Sequence, residues 1–229
     1  MGEAAAVKRS SGRGKFISFE GGEGSGKSTQ IKLLAERLAA AKLRAIVTRE
    51  PGGSPGAEII RHLVLSGMGK LLGAEAETLL FAAARDDHVR TVIEPALTQG
   101  TWVLCDRFFD STRAYQGRLG NVPAGMLNAM QRVTIGDLRP DLTIILDVPV
   151  EVGLKRAAAR RGNGAPDRFE AEDVKFHHDL RDAYRQIAAE DPARCVLIDA
   201  TASQDAVAAQ VWKALRDHLF AMTPSASSA

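Results

Sequence analysis

One short segment near the N-terminus constrains this chain more than any other: Gly21-Gly22-Glu23-Gly24-Ser25-Gly26-Lys27-Ser28. It matches G-x-x-x-x-G-K-[ST] in full and lies between an apolar run that predicts a strand and an amphipathic stretch that predicts a helix. Glycines let such a loop wrap until successive backbone N–H groups point at phosphate oxygens, and the following helix adds its unpaired N-terminal donors. We therefore predict that this loop and Thr29 bind a nucleoside triphosphate; a glycine-rich turn without a ligand is the alternative.

Two side chains of this loop, called the P-loop below, suit a triphosphate bound with Mg²⁺. Lys27 brings mobile positive charge to the β- and γ-phosphates, and the Ser28 hydroxyl can ligate the ion. A carboxylate is expected at the end of a neighbouring strand, where Asp106 stands. A strand-ending aspartate that only caps the next segment is equally compatible, and Asp147 and Asp199 also end apolar runs. We predict Ser28 and Asp106 as the magnesium ligands.

Bulk properties exclude several kinds of partner. The 229 residues suit one domain, and the net charge of +2 lacks the basic excess of proteins that grip nucleic acids. Apolar stretches stay short of the roughly 18 residues that suggest a membrane span. Cys105 and Cys195 lie in apolar runs, where free cysteine acts as a small hydrophobic residue. We expect a cytoplasmic protein that binds neither nucleic acid nor membrane.

Short apolar runs alternate with longer amphipathic stretches along the chain. The predicted strands are Phe16–Phe19, Ala45–Val47, Trp102–Cys105, Leu142–Leu146 and Val196–Ile198. The predicted helices are Ser28–Ala41, Gly56–Leu65, Glu75–Gln99, Pro123–Ile135, Val150–Arg160, Ala171–Glu190 and Gln204–Leu219. Because the strands are apolar throughout, we predict an α/β fold: a doubly wound, five-stranded parallel sheet with helices on both faces.

The chain divides into one domain and two tails. Residues 1–14 and 222–229 lack periodicity and are predicted to be disordered, which leaves a domain over residues 15–221. Within it, Arg161–Pro166 holds two glycines and a proline beside several arginines. We predict a mobile lid there, over about residues 156–170.

Transfer to a second molecule, rather than hydrolysis, needs cations for a second phosphate. Arg49 follows the second predicted strand and Arg107 follows the third, at the sheet edge where ligands of such folds bind. Planar guanidinium groups match phosphate oxygens two at a time. An ordinary surface arginine is the alternative at each position.

Five segments together resemble the bacterial thymidylate kinases, P-loop nucleoside monophosphate kinases. They are Phe19–Ser28, Thr48–Gly53, Leu80–Arg85, Asp106–Phe108 and Ala114–Gly117, in the family's order and spacing, within a match from about Phe16 to Leu219. The resemblance implies a P-loop NTPase fold and a homodimer. It also implies phosphoryl transfer from magnesium ATP to thymidine 5′-monophosphate (dTMP), giving the diphosphate (dTDP), a step of dTTP synthesis.

The same resemblance implies roles for the base-binding residues. Phe81 would stack on thymine and Arg85 would donate to its O4, and residues four apart share a helix face. Arg85 carries only donors, so it would favour thymine over the amino group of cytosine. Core packing is the alternative for Phe81. A preference for thymine over uracil would rest on one methyl contact, worth about 1–3 kcal/mol.

The remaining acceptor contacts are also implied by the family. Arg49 and Arg107 would hold the acceptor phosphate, and Glu23 would accept a hydrogen bond from the sugar 3′-hydroxyl. Further residues would line the deoxyribose and base: Thr112, Tyr115 and Gln116. The family normally has Tyr or His where this chain has Phe108, so a hydrogen bond from that position is lost.

Phosphoryl transfer spreads negative charge over the migrating group, and the P-loop contains no arginine to meet it. The resemblance is to the subgroup that brings arginine from the lid, and the candidates are Arg156, Arg160, Arg161 and Arg168. Arg161 and Arg168 flank the lid most closely and are predicted to be catalytic with Lys27 and Arg107. A solvated basic helix end is the alternative.

Three other functions stay open: another nucleoside monophosphate kinase, a P-loop GTPase switch, and a nucleotide-binding module without transfer. The sequence lacks the [NT]-K-x-D element that reads guanine, which disfavours the GTPase. The pair His177-His178 shows no metal-ligand spacing and is predicted to lie at the surface.

Overall fold

Five parallel strands form one sheet in the order β2-β3-β1-β4-β5. The strands are β1 (Phe16–Glu20), β2 (Ala45–Arg49), β3 (Trp102–Asp106), β4 (Leu142–Asp147) and β5 (Cys195–Asp199). The computed structural model describes residues 12–162, 164 and 168–220, without the side chain of Lys70. All five predicted strands are confirmed. Each continues past its apolar run at the carboxyl end, so polar residues stand together at one edge of the sheet.

Helices cover both faces of the sheet. They are α1 (Lys27–Ala40), α2 (Pro55–Leu65), α3 (Ala74–His88), α4 (Glu94–Thr98), α5 (Phe109–Thr112), α6 (Ala124–Ile135), α7 (Val150–Arg161), α8 (Val174–Glu190) and α9 (Gln204–Leu219). A 3-10 segment spans Met68–Leu72, and π-helical segments span Val89–Ile93 and Arg113–Leu119. The predicted α/β, doubly wound parallel fold is confirmed.

Residues of the strands enter three buried hydrophobic clusters, of which the two largest show how the faces are packed. On one face, Leu34 of α1 and Leu215 of α9 pack in one buried cluster with Ile144 of β4. On the other face, Ile93 packs in a second cluster with Val103 of β3. Full burial of such a side chain stabilises the fold by about 1.5–3 kcal/mol, so the sheet is a rigid support for the loops at its edge.

One continuous α-helix was predicted over Glu75–Gln99, and this is wrong: a π-helical segment separates α3 from α4. Pro95 stands at the start of α4, where it lacks an N–H and crowds the preceding turn. The π-helical segment Val89–Ile93 absorbs this defect, with Glu94 N–H donating to Val89 O. Residues Phe109–Leu119 are helical, although no helix was predicted there. The segment consists of a four-residue α-helix and a seven-residue π-helical segment that contains Gly117, and both are too short to show a helical pattern of apolar residues.

The helix predicted to begin at Ala171 begins at Val174 instead. The carboxylate of Asp173 accepts a hydrogen bond from Phe176 N over 2.7 Å and so caps the first turn of α8. An aspartate in this position sets the start of a helix more firmly than the apolar spacing around it.

Most of the predicted tails and a small part of the predicted lid lie outside the described residues. Residues 1–11 and 221–229 belong to this part, as do residues 163 and 165–167 of the lid. Gly14, assigned to the N-terminal tail, is buried and donates its N–H to Leu97 O over 2.7 Å. Within the described part of the chain, no helix has both the length and the apolar character to cross a membrane. Both cysteines are buried free thiols.

Candidate active site

The carboxyl ends of β1, β2 and β3 open into one cleft of about 350 Å³. Residues 23–28 of the P-loop line it, as do Thr29 and the predicted metal ligand Asp106. The predicted acceptor contacts beyond the P-loop line it as well: Arg49, Phe81, Arg85, Arg107, Thr112, Tyr115 and Gln116. The other two P-loop residues, Gly21 and Gly22, line a separate cavity of about 20 Å³. The fold therefore gathers residues from four separate parts of the sequence at one place.

The P-loop depends on glycine for its shape. Gly24 and Gly26 have φ of 64° and 95°, a region that other residues enter only with strain. Lys27 lies beneath the loop, and its Nζ donates to the carbonyls of Gly21 and Gly22, each over 3.0 Å. Burial, followed by the charge of Arg107, lowers the pKa of Lys27. The loop thus encloses the buried ammonium group of Lys27, which lies close to the position where a ligand would contact the loop.

Ser28 and Asp106 meet at the edge of the cleft. Ser28 Oγ donates to Asp106 Oδ2 over 2.9 Å, although 78 residues separate them in sequence. Both offer oxygen atoms, which suit a hard divalent cation. No cluster of three or more His, Cys, Asp or Glu that could hold a metal occurs among residues 12–162, 164 and 168–220. The donor set fits Mg²⁺, which commonly takes one or two protein oxygens and completes its shell with phosphate and water.

Arg107 links β3 to the P-loop. Its Nη2 donates to Glu23 Oε1 over 2.9 Å, and its guanidinium lies 5.3 Å from the ring centre of Tyr115. Burial disfavours the charge of Glu23, but the charges of Arg107 and Lys27 outweigh it and lower the pKa of Glu23. Glu23 is therefore an ionised acceptor inside the cleft.

Arg49 occupies a more open position. Its side chain is 55% exposed and its Nη2 donates to Glu58 Oε1 over 2.9 Å. The same carboxylate oxygen accepts from Gly53 N, so Glu58 ties the end of β2 to the loop that follows. Arg49 can turn toward an anion in the cleft at low cost because an exposed ion pair contributes only about 0–1 kcal/mol.

Arg85 is held rigidly at the other end of the cleft. Its Nε donates to Glu50 Oε2 over 2.7 Å, and its two terminal nitrogens donate to Thr112 Oγ1 over 3.0 Å and Phe108 O over 3.2 Å. A guanidinium has five N–H donors, so donors remain for a ligand. Phe81, four residues earlier on α3, is half-buried and borders the cleft.

Comparisons with known proteins identify the relatives of this fold and site. A family model described as thymidylate kinase matches residues 19–211. The chain belongs to the thymidylate kinase family. Members of this family are nucleoside monophosphate kinases that use ATP to phosphorylate dTMP to dTDP.

Individual thymidylate kinases cover nearly the whole chain. The protein of that name from Nitrobacter winogradskyi is 78% identical over 224 residues, which are 98% of this chain and 96% of the relative. The one from Nitrobacter hamburgensis is 81% identical over 207 residues, 90% of each chain. The crystal structure of thymidylate kinase from Ehrlichia chaffeensis matches with a TM-score of 0.72 and 33% identity, covering 89% of this chain and 99% of that one.

The arginines of the predicted lid lie in different places in this chain. Arg160 lines the cleft, whereas Arg161 and Arg168 are not among the described residues that line it. Arg160 Nη2 and Arg161 Nη1 both donate to the carboxylate of Glu170, over 3.1 and 2.6 Å. Arg168 is paired with Glu77 instead. Arg156 Nη1 donates to Ala200 O over 2.9 Å, directly after the carboxyl end of β5.

Helix α7 contacts the P-loop directly. A Cβ added to Gly24 would lie 1.9 Å from Gly153 O, and one added to Gly153 would lie 2.5 Å from Glu23 O. The backbones of the P-loop and α7 are therefore in contact, and only glycine fits at both positions. Sequence reasoning missed Gly153, whose lone position inside a predicted helix was a signal of such a close approach.

Several other site residues were also missed. Phe169, Glu170 and Ser111 line the cleft, and Ser111 forms a hydrogen-bonded group with the buried Glu20 and Tyr184 beside Arg107. Glu20 ends a strand as Asp106 does, so the same signal was present. Ser111 and Tyr184 gave none, because only the tertiary fold brings them to Glu20.

The surface position predicted for His177 is wrong. His177 is only 5% exposed, whereas the side chain of His178 is 48% exposed. His177 precedes the buried Leu180 and Tyr184 by three and seven residues, so helical spacing places it on the buried face of α8. His177 borders the small cavity behind Gly21 and Gly22, and its Nε2 has no hydrogen-bond partner among the described residues.

Proposed function

We propose that this chain transfers the γ-phosphoryl group of ATP to dTMP, giving ADP and dTDP. The observation that carries the proposal is the single cleft that joins the P-loop to Phe81 and Arg85 and is also lined by Arg49 and Arg107. A volume of about 350 Å³ is in the range of small-molecule sites. Catalysis of this transfer is mainly positioning and charge, which such a cleft supplies.

At the donor end, the P-loop backbone would wrap the phosphates of ATP. Lys27 would exchange the carbonyls of Gly21 and Gly22 for β- and γ-phosphate oxygens. Ser28 and Asp106 would hold Mg²⁺, which supplies positive charge to neutralise those oxygens when it is bound. The hydroxyl and carboxylate already lie within hydrogen-bonding distance, so little rearrangement is needed.

At the acceptor end, Arg49 and Arg107 would present the phosphate of dTMP to the donor. Glu23 would then accept from the sugar 3′-hydroxyl, for which its lowered pKa keeps it ionised at neutral pH. The position of Glu23 in the P-loop supports this role, because one loop would then contact both nucleotides.

The base would lie between Phe81 and the walls of the cleft. Phe81 would stack on thymine, and a spare N–H of Arg85 would donate to O4. Three further residues would line the deoxyribose and base: Thr112, Tyr115 and Gln116. Because Glu50, Thr112 and Phe108 O hold Arg85 in place, its direction is fixed before a base arrives.

The lid would supply the arginine that meets charge on the migrating phosphoryl group. Arg160 and Arg161 share Glu170 near the cleft, which supports a delivery from this pair. Arg168, the other predicted catalytic arginine, would first have to leave Glu77. Lid closure would also keep water from the γ-phosphate and so limit hydrolysis.

We also propose a cytoplasmic homodimer that engages neither nucleic acid nor membrane. The family resemblance supports the dimer, as do exposed apolar side chains on the adjacent segments α2, Met68–Leu72 and α3: Ile59, Leu71, Leu72 and Leu79. Light scattering of the purified protein measures its mass. A monomer across the working concentration range would remove this part of the proposal.

An acceptor panel tests the reaction itself. The purified chain with Mg²⁺ and ATP is given thymidine, deoxyuridine, adenosine, guanosine or cytidine monophosphate in a coupled assay for ADP. We expect dTMP to be the best acceptor, with a modest preference over deoxyuridine monophosphate and little use of cytidine monophosphate. A better purine or cytidine acceptor would support another nucleoside monophosphate kinase. ATP binding without any acceptor-dependent turnover would support a binding module.

A further inference from the structure

Glu20 is a fully buried carboxylate at the end of β1, one residue before the P-loop. Its Oε1 accepts from Phe108 N over 2.8 Å. Its Oε2 accepts from Ser111 Oγ over 2.6 Å and from Tyr184 OH over 3.0 Å. Removing a carboxylate from water is costly, and these three donors offset part of that cost.

The two hydroxyls lead from Glu20 to Arg107. Arg107 Nη1 donates to Tyr184 OH over 3.0 Å and to Ser111 Oγ over 3.3 Å. Each hydroxyl has one proton, and ionised Glu20 accepts both protons, so both oxygens offer lone pairs to Arg107. Protonation of Oε2 would reverse one of these bonds. Because Ser111 Oγ and Tyr184 OH lie 2.9 Å apart, the displaced hydroxyl proton would turn to the other hydroxyl and occupy a lone pair otherwise open to Arg107.

Glu20 also holds the backbone of the same turn. Arg107 has φ of 71°, which is strained for a residue with a Cβ. Arg107 N donates to Phe19 O over 2.9 Å, and Phe108 N donates to Glu20. The end of β1 therefore fixes both N–H groups of the turn that directs Arg107 into the cleft.

From this geometry we propose that Glu20, acting through Ser111 and Tyr184, is a positioning residue that holds Arg107 toward the acceptor phosphate. The inference rests on the proposed function, in which Arg107 binds that phosphate. Glu23 holds the other side of the guanidinium, and acceptor binding would draw Glu23 away to the sugar. Glu20, Ser111 and Tyr184 would then be the residues that hold Arg107 toward the acceptor phosphate.

The charges around Glu20 make this arrangement sensitive to pH. Asp110 of α5 faces it as a like charge, Arg107 and Lys27 face it as opposite charges, and Tyr184 of α8 contributes a buried hydroxyl. Burial first, and then Asp110, raise the pKa of Glu20 to about 7. Ionised Glu20, and with it the ordered form of the network, should dominate above that pH.

The variants Glu20→Gln and Tyr184→Phe test the proposal by steady-state kinetics at about pH 8. We expect Glu20→Gln to raise KM for dTMP about tenfold, as for a lost charge-assisted hydrogen bond, while KM for ATP changes less than about twofold. Tyr184→Phe should act in the same direction with a smaller effect. Calorimetric titration with dTMP alone should show the same loss of affinity.

Asp110→Asn is the matched control. Asp110 is equally buried but bonds to Arg194 and Arg113 rather than to Arg107. We expect it to lower the melting temperature, with both KM values at about pH 8 within about twofold of the unaltered chain, since Glu20 is ionised at that pH with or without the charge of Asp110. If Glu20→Gln behaved in this same way, Glu20 would be only structural and the proposal would be wrong.

A pH series provides a second readout. As the pH rises through about 7, KM for dTMP in the unaltered chain should fall by more than the ionisation of the nucleotide phosphate explains. In Glu20→Gln, KM should fall only by the amount that this ionisation explains. An unchanged profile in a folded Glu20→Gln variant would contradict the proposal. If that variant does not fold, an unaltered KM for dTMP in Tyr184→Phe would do so. Absence of turnover in the unaltered chain would instead refute the proposed function.

Discussion

The guanidinium of Arg107 and the carboxylate of Glu23 meet at 2.9 Å, so a side chain of the P-loop itself holds the arginine that follows β3. Both side chains are about 15% exposed, at 16% and 14%. At such positions charges interact more strongly than in water. This contact joins the P-loop to the arginine that we propose for the acceptor phosphate.

Replacing Arg107 should damage acceptor use most. We expect Arg107→Ala to lower kcat/KM for dTMP by about 100-fold or more, since a hydrogen bond to a charged group contributes about 1.5–3 kcal/mol and two would be lost. Arg49→Ala should cost less because Arg49 is largely exposed. Initial rates with varied dTMP at saturating ATP measure both effects. A loss confined to KM for ATP would show that Arg107 serves the donor instead.

Replacing Arg85 should separate base recognition from donor binding. Arg85→Ala is expected to weaken dTMP use far more than ATP binding, and to reduce stability because it leaves Glu50 buried without its guanidinium partner. Arg113→Ala removes an arginine that pairs with Asp110 and Glu190 and is not among the described residues lining the cleft, so it serves as a control. Equal losses of dTMP and ATP binding in Arg85→Ala would contradict base reading.

The contact between α7 and the P-loop predicts an unusual effect of a small substitution. In a helix, Gly→Ala normally stabilises by up to about 1 kcal/mol, but a Cβ on Gly153 would lie 2.5 Å from Glu23 O. Such overpacking costs about 1–3 kcal/mol, so the clash should win. We expect Gly153→Ala to lower the free energy of unfolding and to raise KM for ATP.

Gly125→Ala is the comparison for that variant. Gly125 lies on α6, and an added Cβ there would have no described neighbour within 4 Å. It should be neutral or slightly stabilising, with unchanged kinetics. If Gly153→Ala matched Gly125→Ala in urea unfolding and in KM for ATP, the P-loop would be able to move away from the added Cβ without cost.

The lid arginines should differ in their effects on kcat. We expect the double variant Arg160→Ala/Arg161→Ala to lower kcat by about 100-fold, because an arginine that stabilises transition-state charge often contributes more than that. Arg168→Ala should have the smaller effect, because Arg168 is held by Glu77. Single-turnover rates at saturating ATP and dTMP decide the order. A dominant loss in Arg168→Ala would show that the lid rearranges before transfer.

Glu20 also links stability to pH. Its pKa is raised from 4.5 to about 7, so the folded chain holds this proton more tightly than the unfolded chain. The resulting stabilisation is complete below about pH 4.5 and is lost as the pH rises to about 7, a change of about 3 kcal/mol. Urea unfolding at about pH 5 and pH 8 should show this loss in the unaltered chain and not in Glu20→Gln. The same pH dependence in both proteins would contradict it.

Sequence patterns predicted the features that depend on residues close together in the chain. The five strands followed from apolar runs, and the P-loop followed from residues close together in the sequence. Residue order could not show that Tyr184 reaches Glu20 across 164 positions. Nor could it show that Pro95 is accommodated by a π-helical turn, or that His177 faces inward while its neighbour faces out.

The lid shows the same limit at the candidate site. Counting arginines near the glycines of the lid selected Arg161 and Arg168, yet the direction of each side chain depends on its carboxylate partner. Glu170 and Glu77 come from different segments and hold these arginines in different places. Proximity in sequence selected these arginines as candidates, but only the fold distinguishes their positions.

The ratio of products formed by the purified chain with Mg²⁺, ATP and dTMP decides whether this cleft performs transfer. Quantifying both nucleotides by chromatography should give one dTDP for each ADP, and Lys27→Ala should make almost none of either. ADP that accumulates without dTDP would mean that water, and not a second nucleotide, receives the phosphoryl group.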